Sequence, residues 1–274
     1  MSQYIIDFRE TTSQFLYLTV RIEMSYADGA VGSGTGFFDD FYDYHDRRPY
    51  LVTNRHVIED AASLRIRLHA GTKNSPEPSY PLDGFWFEMT EPEKFWTPHP
   101  DSDVDLCTIS VNRLTQLGMN PEFFSRALET RSIPPLEESR RYPALTGVLM
   151  IGYPIGLWDA ANNLPILRRG TTASHPAIDF NDRPDFVVDI ACFPGSSGSP
   201  VLAHDRDYFA GAVRLLGVLY AGPVTSLTGE LVVHHIPTLG GNVMVDTMVH
   251  LGYVVKAHKV QELVRHAAEV EATT

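Results

Sequence analysis

The sequence is cut into short runs rich in apolar, β-branched and aromatic residues, each closed by Gly, Pro, Asn or Asp. Runs this short, with few long helical patterns between them, exclude alternating βαβ units and predict an all-β barrel or sandwich. Strands are expected over Phe15–Met24, Gly34–Phe38, Pro49–Thr53, Ser63–His69, Leu106–Val111, Val148–Gly152, Leu167–Ala173, Asp185–Ile190, Pro200–Ala203, Leu215–Ala221 and Gly252–Lys256.

Two segments break this texture. Between 112 and 147, Asn120 can cap and Pro121 can open a short helix running to Thr130, ahead of the stretch Ile133-Pro134-Pro135. This segment reads as a connection between two β halves. Near the end, Val260, Leu263, Val264 and Ala267 fall at i, i+3, i+4 and i+7, which predicts a helix with one apolar stripe docked on the body. At 274 residues and 43% hydrophobic content the chain can bury a sizeable core. The expected division is residues 1–125 and 148–256 as the two β halves, 126–147 as their connection and 257–274 as helix and tail, with no added recognition domain.

Composition narrows the function classes. A net charge of -12 and a pI near 5.3 oppose non-specific binding to nucleic acid or to an anionic membrane. The two cysteines, Cys107 and Cys192, sit in apolar strand-like runs and imply no disulfide framework. The opening residues MSQYIIDFRETTSQF lack a basic region followed by an apolar one, and no apolar run approaches the ~20 residues of a membrane helix. These features set the expectation of a cytoplasmic protein. His69, His99, His175, His204 and the pair His234-His235 show no ligand spacing with cysteine and no HExxH pattern, so neither metal nor other cofactor is expected.

Three local patterns carry chemistry. In Phe193-Pro194-Gly195-Ser196-Ser197-Gly198-Ser199-Pro200, two glycines allow a tight turn that presents a hydroxyl while neighbouring N–H groups face one side, where they could receive an oxyanion. In Leu51-Val52-Thr53-Asn54-Arg55-His56-Val57-Ile58, a histidine stands where an apolar strand runs out. A histidine can take the proton that makes a serine hydroxyl nucleophilic. In Asp101-Ser102-Asp103-Val104-Asp105-Leu106-Cys107, Asp105 opens an apolar run, where a buried carboxylate needs a partner such as an imidazole N–H; Asp101 and Asp103 are its rivals. Taken together, His56, Asp105 and Ser197 stand in the chain order known for chymotrypsin.

With GSGTGFF at 32–38, IGYPIG at 151–156 and FPGSSGSPVL at 193–202 added, the chain resembles the trypsin-like serine peptidases, most closely the HtrA-like bacterial branch. The resemblance implies two six-stranded antiparallel β-barrels with a cleft between them. His56 and Asp105 would come from the first barrel and Ser197 from the second, and the N–H groups of Gly195 and Ser197 would form an oxyanion hole. It implies a serine endopeptidase acting on protein or peptide substrates, and an intracellular processing role under a regulatory protein partner is the expectation. A catalytically silent peptide-binding module is the alternative. The sequence departs from digestive trypsins at Ser196, where they carry an aspartate that pairs with a newly cut amino terminus. The base of the primary pocket, six residues before the nucleophile, falls on Ala191, which implies cleavage after small or medium apolar residues; Asp189 would invert this if the register slipped. Phe41-Tyr42-Asp43-Tyr44-His45-Asp46 reads as a hairpin tip that could border the cleft.

Overall fold

The structure, a computed structural model, describes residues 11–43, 46–71, 84–120, 122–129, 132–203, 214–230 and 242–273. The first half supplies β1 (Thr19–Ser25), β2 (Val31–Asp43), β3 (Asp46–Thr53), β4 (Ser63–Ala70), β5 (Gly84–Thr90), β6 (Trp96–Pro98), β7 (Cys107–Ser110), β8 (Phe123–Phe124) and β9 (Leu128–Glu129). Its sheet runs β5-β4-β1-β2-β3-β7-β6 and curls without closing among the described residues, with β8 added beside β4 and β9 beside β2. The second half supplies β10 (Gly147–Gly152), β11 (Ile166–Thr172), β12 (Asp185–Asp189), β13 (Pro200–Ala203), β14 (Arg214–Ala221), β15 (Val224–Glu230), β16 (Asn242–Met248) and β17 (Leu251–Lys256). Six of these close into a barrel in the order β10-β11-β12-β17-β14-β13, while among the described residues β15 and β16 pair only with each other. The fold is chymotrypsin-like, as the sequence implies.

Strand alternation explains the layers. On β2, Phe37 and Phe38 point to opposite faces and both are buried, Phe38 among the first sheet's own apolar residues and Phe37 toward the second half. The core around Phe37 draws on Val52 and Leu106 from one half, Ile151, Leu202, Leu215 and Val255 from the other, and the C-terminal helix Ala257–Thr273. The helix inserts the stripe read from the sequence: Val260, Leu263, Val264 and Ala267 are all buried there. Full burial of side chains of this size is worth roughly 1.5–3 kcal/mol each, so the helix binds the two halves together.

Two expectations are corrected. Phe15–Tyr17 form a 3-10 turn: Leu18 N–H donates back to the Phe15 carbonyl, a local bond that takes the donor a ladder would use, and β1 begins only at Thr19. No helix spans Pro121–Thr130: these two residues lie outside the described ones, and between them stand β8 and β9. The Asn120 side chain accepts the Glu122 N–H at 2.9 Å, forming a local turn, and Phe124 packs edge-on against Tyr17 at 5.1 Å. Tertiary pairing overrides the local signal. At the hairpin tip, Tyr44 and His45 lie outside the described residues, as do His204, His234 and His235.

Asp39 on β2 is fully buried, and neither carboxylate oxygen has a hydrogen-bond partner among the described residues. Burial, aided by the neighbouring charge of Asp40, raises its pKa from 3.8 to about 8. Because the folded state holds this proton more tightly than the unfolded chain, the associated stability is fully present below 3.8 and is lost as pH rises toward 8. The slope is about 1.4 kcal/mol per pH unit across that window. Asp39→Asn cannot ionise, so thermal unfolding should show its stability relative to the parent rising between pH 5 and pH 8; a difference independent of pH would contradict this assignment.

Candidate active site

The β3–β7 pairing sets the first part of the site. Thr53 lies opposite Cys107 in this register, so the residues just past one strand meet those just before the other. His56 sits in the one-turn helix Arg55–Ile58, anchored by buried Val57 and Ile58. Asp105 accepts twice from His56: the backbone N–H reaches Oδ1 at 3.0 Å and ring Nδ1 lies 2.5 Å from Oδ2. The Asn54 side chain donates to the Asp105 carbonyl at 2.7 Å, fixing the loop between them. Burial pulls the Asp105 carboxyl upward, but the hydrogen bonds and charge of His56, with Arg55, more than offset it and hold the group below the usual carboxylate range. The rivals Asp101 and Asp103 are exposed and belong to the preceding turn; Asp103 N–H donates to Asp101 Oδ1.

The serine turn is shaped by its glycines and by contacts from both halves. Gly195 and Gly198 each adopt φ +85°, the left-handed region open to glycine. A Cβ at Gly198 would strike the Thr35 carbonyl, and one at Gly195 would sit 2.6 Å from the Tyr153 carbonyl. Across the halves, Thr35 N–H donates to the Ser197 carbonyl at 2.9 Å and Thr35 Oγ1 to the Gly195 carbonyl at 3.0 Å. Thr53 Oγ1 donates in turn to the Thr35 carbonyl. Ser197 Oγ donates to the Tyr220 carbonyl at 3.3 Å.

The loop after β10 fixes the direction of one more N–H group. Ile155 N–H donates to the Pro194 carbonyl at 2.5 Å. In a planar trans peptide the N–H points opposite to the C=O, so the Gly195 N–H faces away from Ile155, and it has no backbone partner among the described residues. Ile155 adopts φ +46°, a strained conformation for a β-branched residue. Three residues on, Trp158 is stacked by Arg21 and Arg67 of the first sheet, each 5.2 Å from the ring centre, which steadies the loop.

His56, Gly195 and Ser197 line one open cleft of about 510 Å³, whose other walls include Met24, Tyr26, Val31, Ile155 and Pro194. Of the segment 41–46, the described side chains of Phe41 and Tyr42 do not line it. Ala191 is half-buried, and its carbonyl is bonded to Arg168. Asp189 is exposed at the end of β12, while the next residue, Ile190, turns into the apolar interior. Sequence reasoning missed Thr35, Tyr220 and Arg168. Only the TG within GSGTGFF hinted at Thr35; an arginine inside a strand reads as solvent-facing. Both cysteines are buried and unpaired, as expected, and no helix among the described residues is long and apolar enough to cross a membrane.

The sequence matches the family model described as a trypsin-like peptidase domain over residues 34–210. No curated relative matches it. Among solved structures, the serine endoprotease from Yersinia pestis aligns at 14% identity and a TM-score of 0.50, covering 96% of this chain and 67% of that one. The active form of the Rv3671c protease from M. tuberculosis aligns at 15% identity and a TM-score of 0.48, covering 93% and 82%. Since the family model spans more than half of the sequence, the chain belongs to the trypsin-like peptidases and is a serine endopeptidase.

Proposed function

We propose that the endopeptidase works through Ser197 as nucleophile, His56 as general base and Asp105 as the group that orients His56, with the N–H groups of Gly195 and Ser197 receiving the oxyanion. The observation that carries this reading is the double acceptance of His56 by Asp105 beside the cleft that Ser197 lines. Asp105 at Nδ1 leaves the other ring nitrogen as proton acceptor. For the transfer Ser197 Oγ has to leave the Tyr220 carbonyl and turn toward that nitrogen by rotation about its Cα–Cβ bond. His56 then removes the hydroxyl proton as Oγ adds to the scissile carbonyl. The same proton goes to the leaving amine, and a water activated by His56 releases the acyl group. A fluorophosphonate probe should label the purified protein, with the modified residue identified as Ser197 by peptide mass spectrometry; a folded protein that stays unlabelled would favour the silent binding module.

For specificity we assign Ala191 to the base of the primary pocket. Supporting an apolar preference, the Ala191 carbonyl is held by the cationic Arg168, and Ala191 is flanked by Ile190 and Cys192 of the apolar interior. A peptide library should therefore be cut after Ala, Val or Leu, and dominant cleavage after Arg or Lys would overturn the assignment. We further place the enzyme in intracellular processing under a protein partner, consistent with its unpaired cysteines and acidic charge. Residues 1–125 and 148–256 act as its two halves, joined through 126–147.

A further inference from the structure

Arg168 stands on β11 opposite Met150 of β10, with its guanidinium turned beneath the serine turn. Nη1 donates to the Ala191 carbonyl and to the Ser196 hydroxyl, both at 2.7 Å. The Ser196 side chain is fully buried and its oxygen also accepts the Phe193 N–H at 3.4 Å. The guanidinium therefore spans the loop 191–196 from end to end. β11 is pressed against the start of this loop, since a Cβ on Gly170 would strike the Asp189 carbonyl and the Ile190 side chain.

This is an expensive place for a cation. Among the described residues Nε and Nη2 are buried without a hydrogen-bond partner, and the titratable neighbour acting on the group is the Cys192 thiol. Burial lowers the Arg168 pKa to about 10, which leaves it charged at neutral pH. A buried charge without a counter-ion costs stability, and an apolar side chain of similar length would fill the same space at lower cost. What the charge supplies is two strong hydrogen bonds to the loop that carries Gly195.

We propose that Arg168 is a positioning residue that clamps both ends of the 191–196 loop and so keeps the Gly195 N–H turned into the cleft. The assignment rests on the oxyanion role given to Gly195 above. Ile155 holds the middle of the loop by one hydrogen bond from a strained residue, and Thr35 holds its far end. With the Arg168 bonds gone, the Pro194–Gly195 peptide is free to turn and one oxyanion donor is withdrawn. The oxyanion exists only along the reaction path, so the loss falls on kcat and spares KM. Where Ser196 departs from the aspartate of digestive trypsins, the cation facing it comes from within the barrel and is present as soon as the chain folds.

The test uses the full chain and an apolar peptide substrate, after Ser197 labelling has established that the parent is active. Arg168→Ala should lower kcat about 100-fold, the size of effect seen when one oxyanion donor is removed, with KM within about threefold. Guanidinium chloride at tens of millimolar should restore about tenfold of the loss, which equal sodium chloride should not. Arg168→Lys should fall between Arg168→Ala and the parent. Parent-like kcat in folded Arg168→Ala, or a loss that guanidinium leaves unchanged, would overturn the clamp while leaving the triad standing. If Arg168→Ala does not fold, Ser196→Ala decides: it removes one of the two acceptors and should lower kcat about tenfold at constant KM, and parent-like kcat overturns the proposal.

Discussion

Replacing Ser197 with alanine should reduce peptide turnover by about 10⁴- to 10⁶-fold while leaving the protein folded. The two halves of this expectation have separate physical sources. Turnover falls because the covalent acyl step is lost: Ser33, whose hydroxyl also reaches the Gly195 side of the cleft, stands on β2 and not on the glycine turn that presents Ser197. The fold survives because the hydroxyl makes one 3.3 Å bond to the Tyr220 carbonyl, worth about 1 kcal/mol. The shape of the turn comes from Gly195, Gly198 and Thr35, which the substitution leaves in place. Steady-state rates on a peptide substrate, with thermal unfolding of both proteins, check both halves. Turnover within about tenfold of the parent would dismiss Ser197 as nucleophile.

Asp105→Asn should be the next most damaging change, lowering kcat by about 10⁴-fold, the scale known for the same substitution in trypsin. Both Asp105 oxygens accept from His56, one from the backbone and one from the ring. An amide can accept only one of these, and it turns an N–H toward the other. If it keeps the backbone bond, the ring must present a lone pair at Nδ1, which puts its proton on the nitrogen that should face Ser197. The stability consequence has a definite sign. Because the folded-state pKa of Asp105 lies below its ordinary value of 3.8, the ionised form is favoured by folding. Its contribution is full above 3.8 and is lost as pH falls through the folded-state value. The parent should therefore unfold at a higher temperature than Asp105→Asn at pH 7, with the gap closing in acid. Equal turnover at any pH would remove Asp105 from the site.

The fold class was legible because most strands are bounded by turn residues and carry the β-type residues their burial demands. The elements that stayed hidden lack one of these signals. β5, with the sequence GFWFEMT, is an edge strand that buries Phe87 and Met89 while Trp86, Glu88 and Thr90 face outward, and its run opens on glycine and carries a charge. β15, VTSLTGE, interrupts its β-type residues with Ser, Gly and Glu, and among the described residues β15 and β16 pair with each other and not with the barrel. The Pro121–Thr130 helix failed because capping and composition are local, whereas β8 and β9 form to meet β4 and β2. In the site, His56 and Asp105 could be read because each stands at the end of an apolar run and the β3–β7 register turns that position into proximity. Arg168 could not, since its meaning lies in the Ala191 carbonyl and the Ser196 hydroxyl, over 20 residues away in the chain and contributed by a loop.

Thr35 has a consequence that neither half shows alone. From β2 it bonds the carbonyls of Gly195 and Ser197, so the serine's turn takes its form partly from the half that carries His56 and Asp105. The shared core that holds the halves together therefore also sets the backbone path of the serine's turn, and a change at the seam far from the cleft is felt at Ser197 through Thr35.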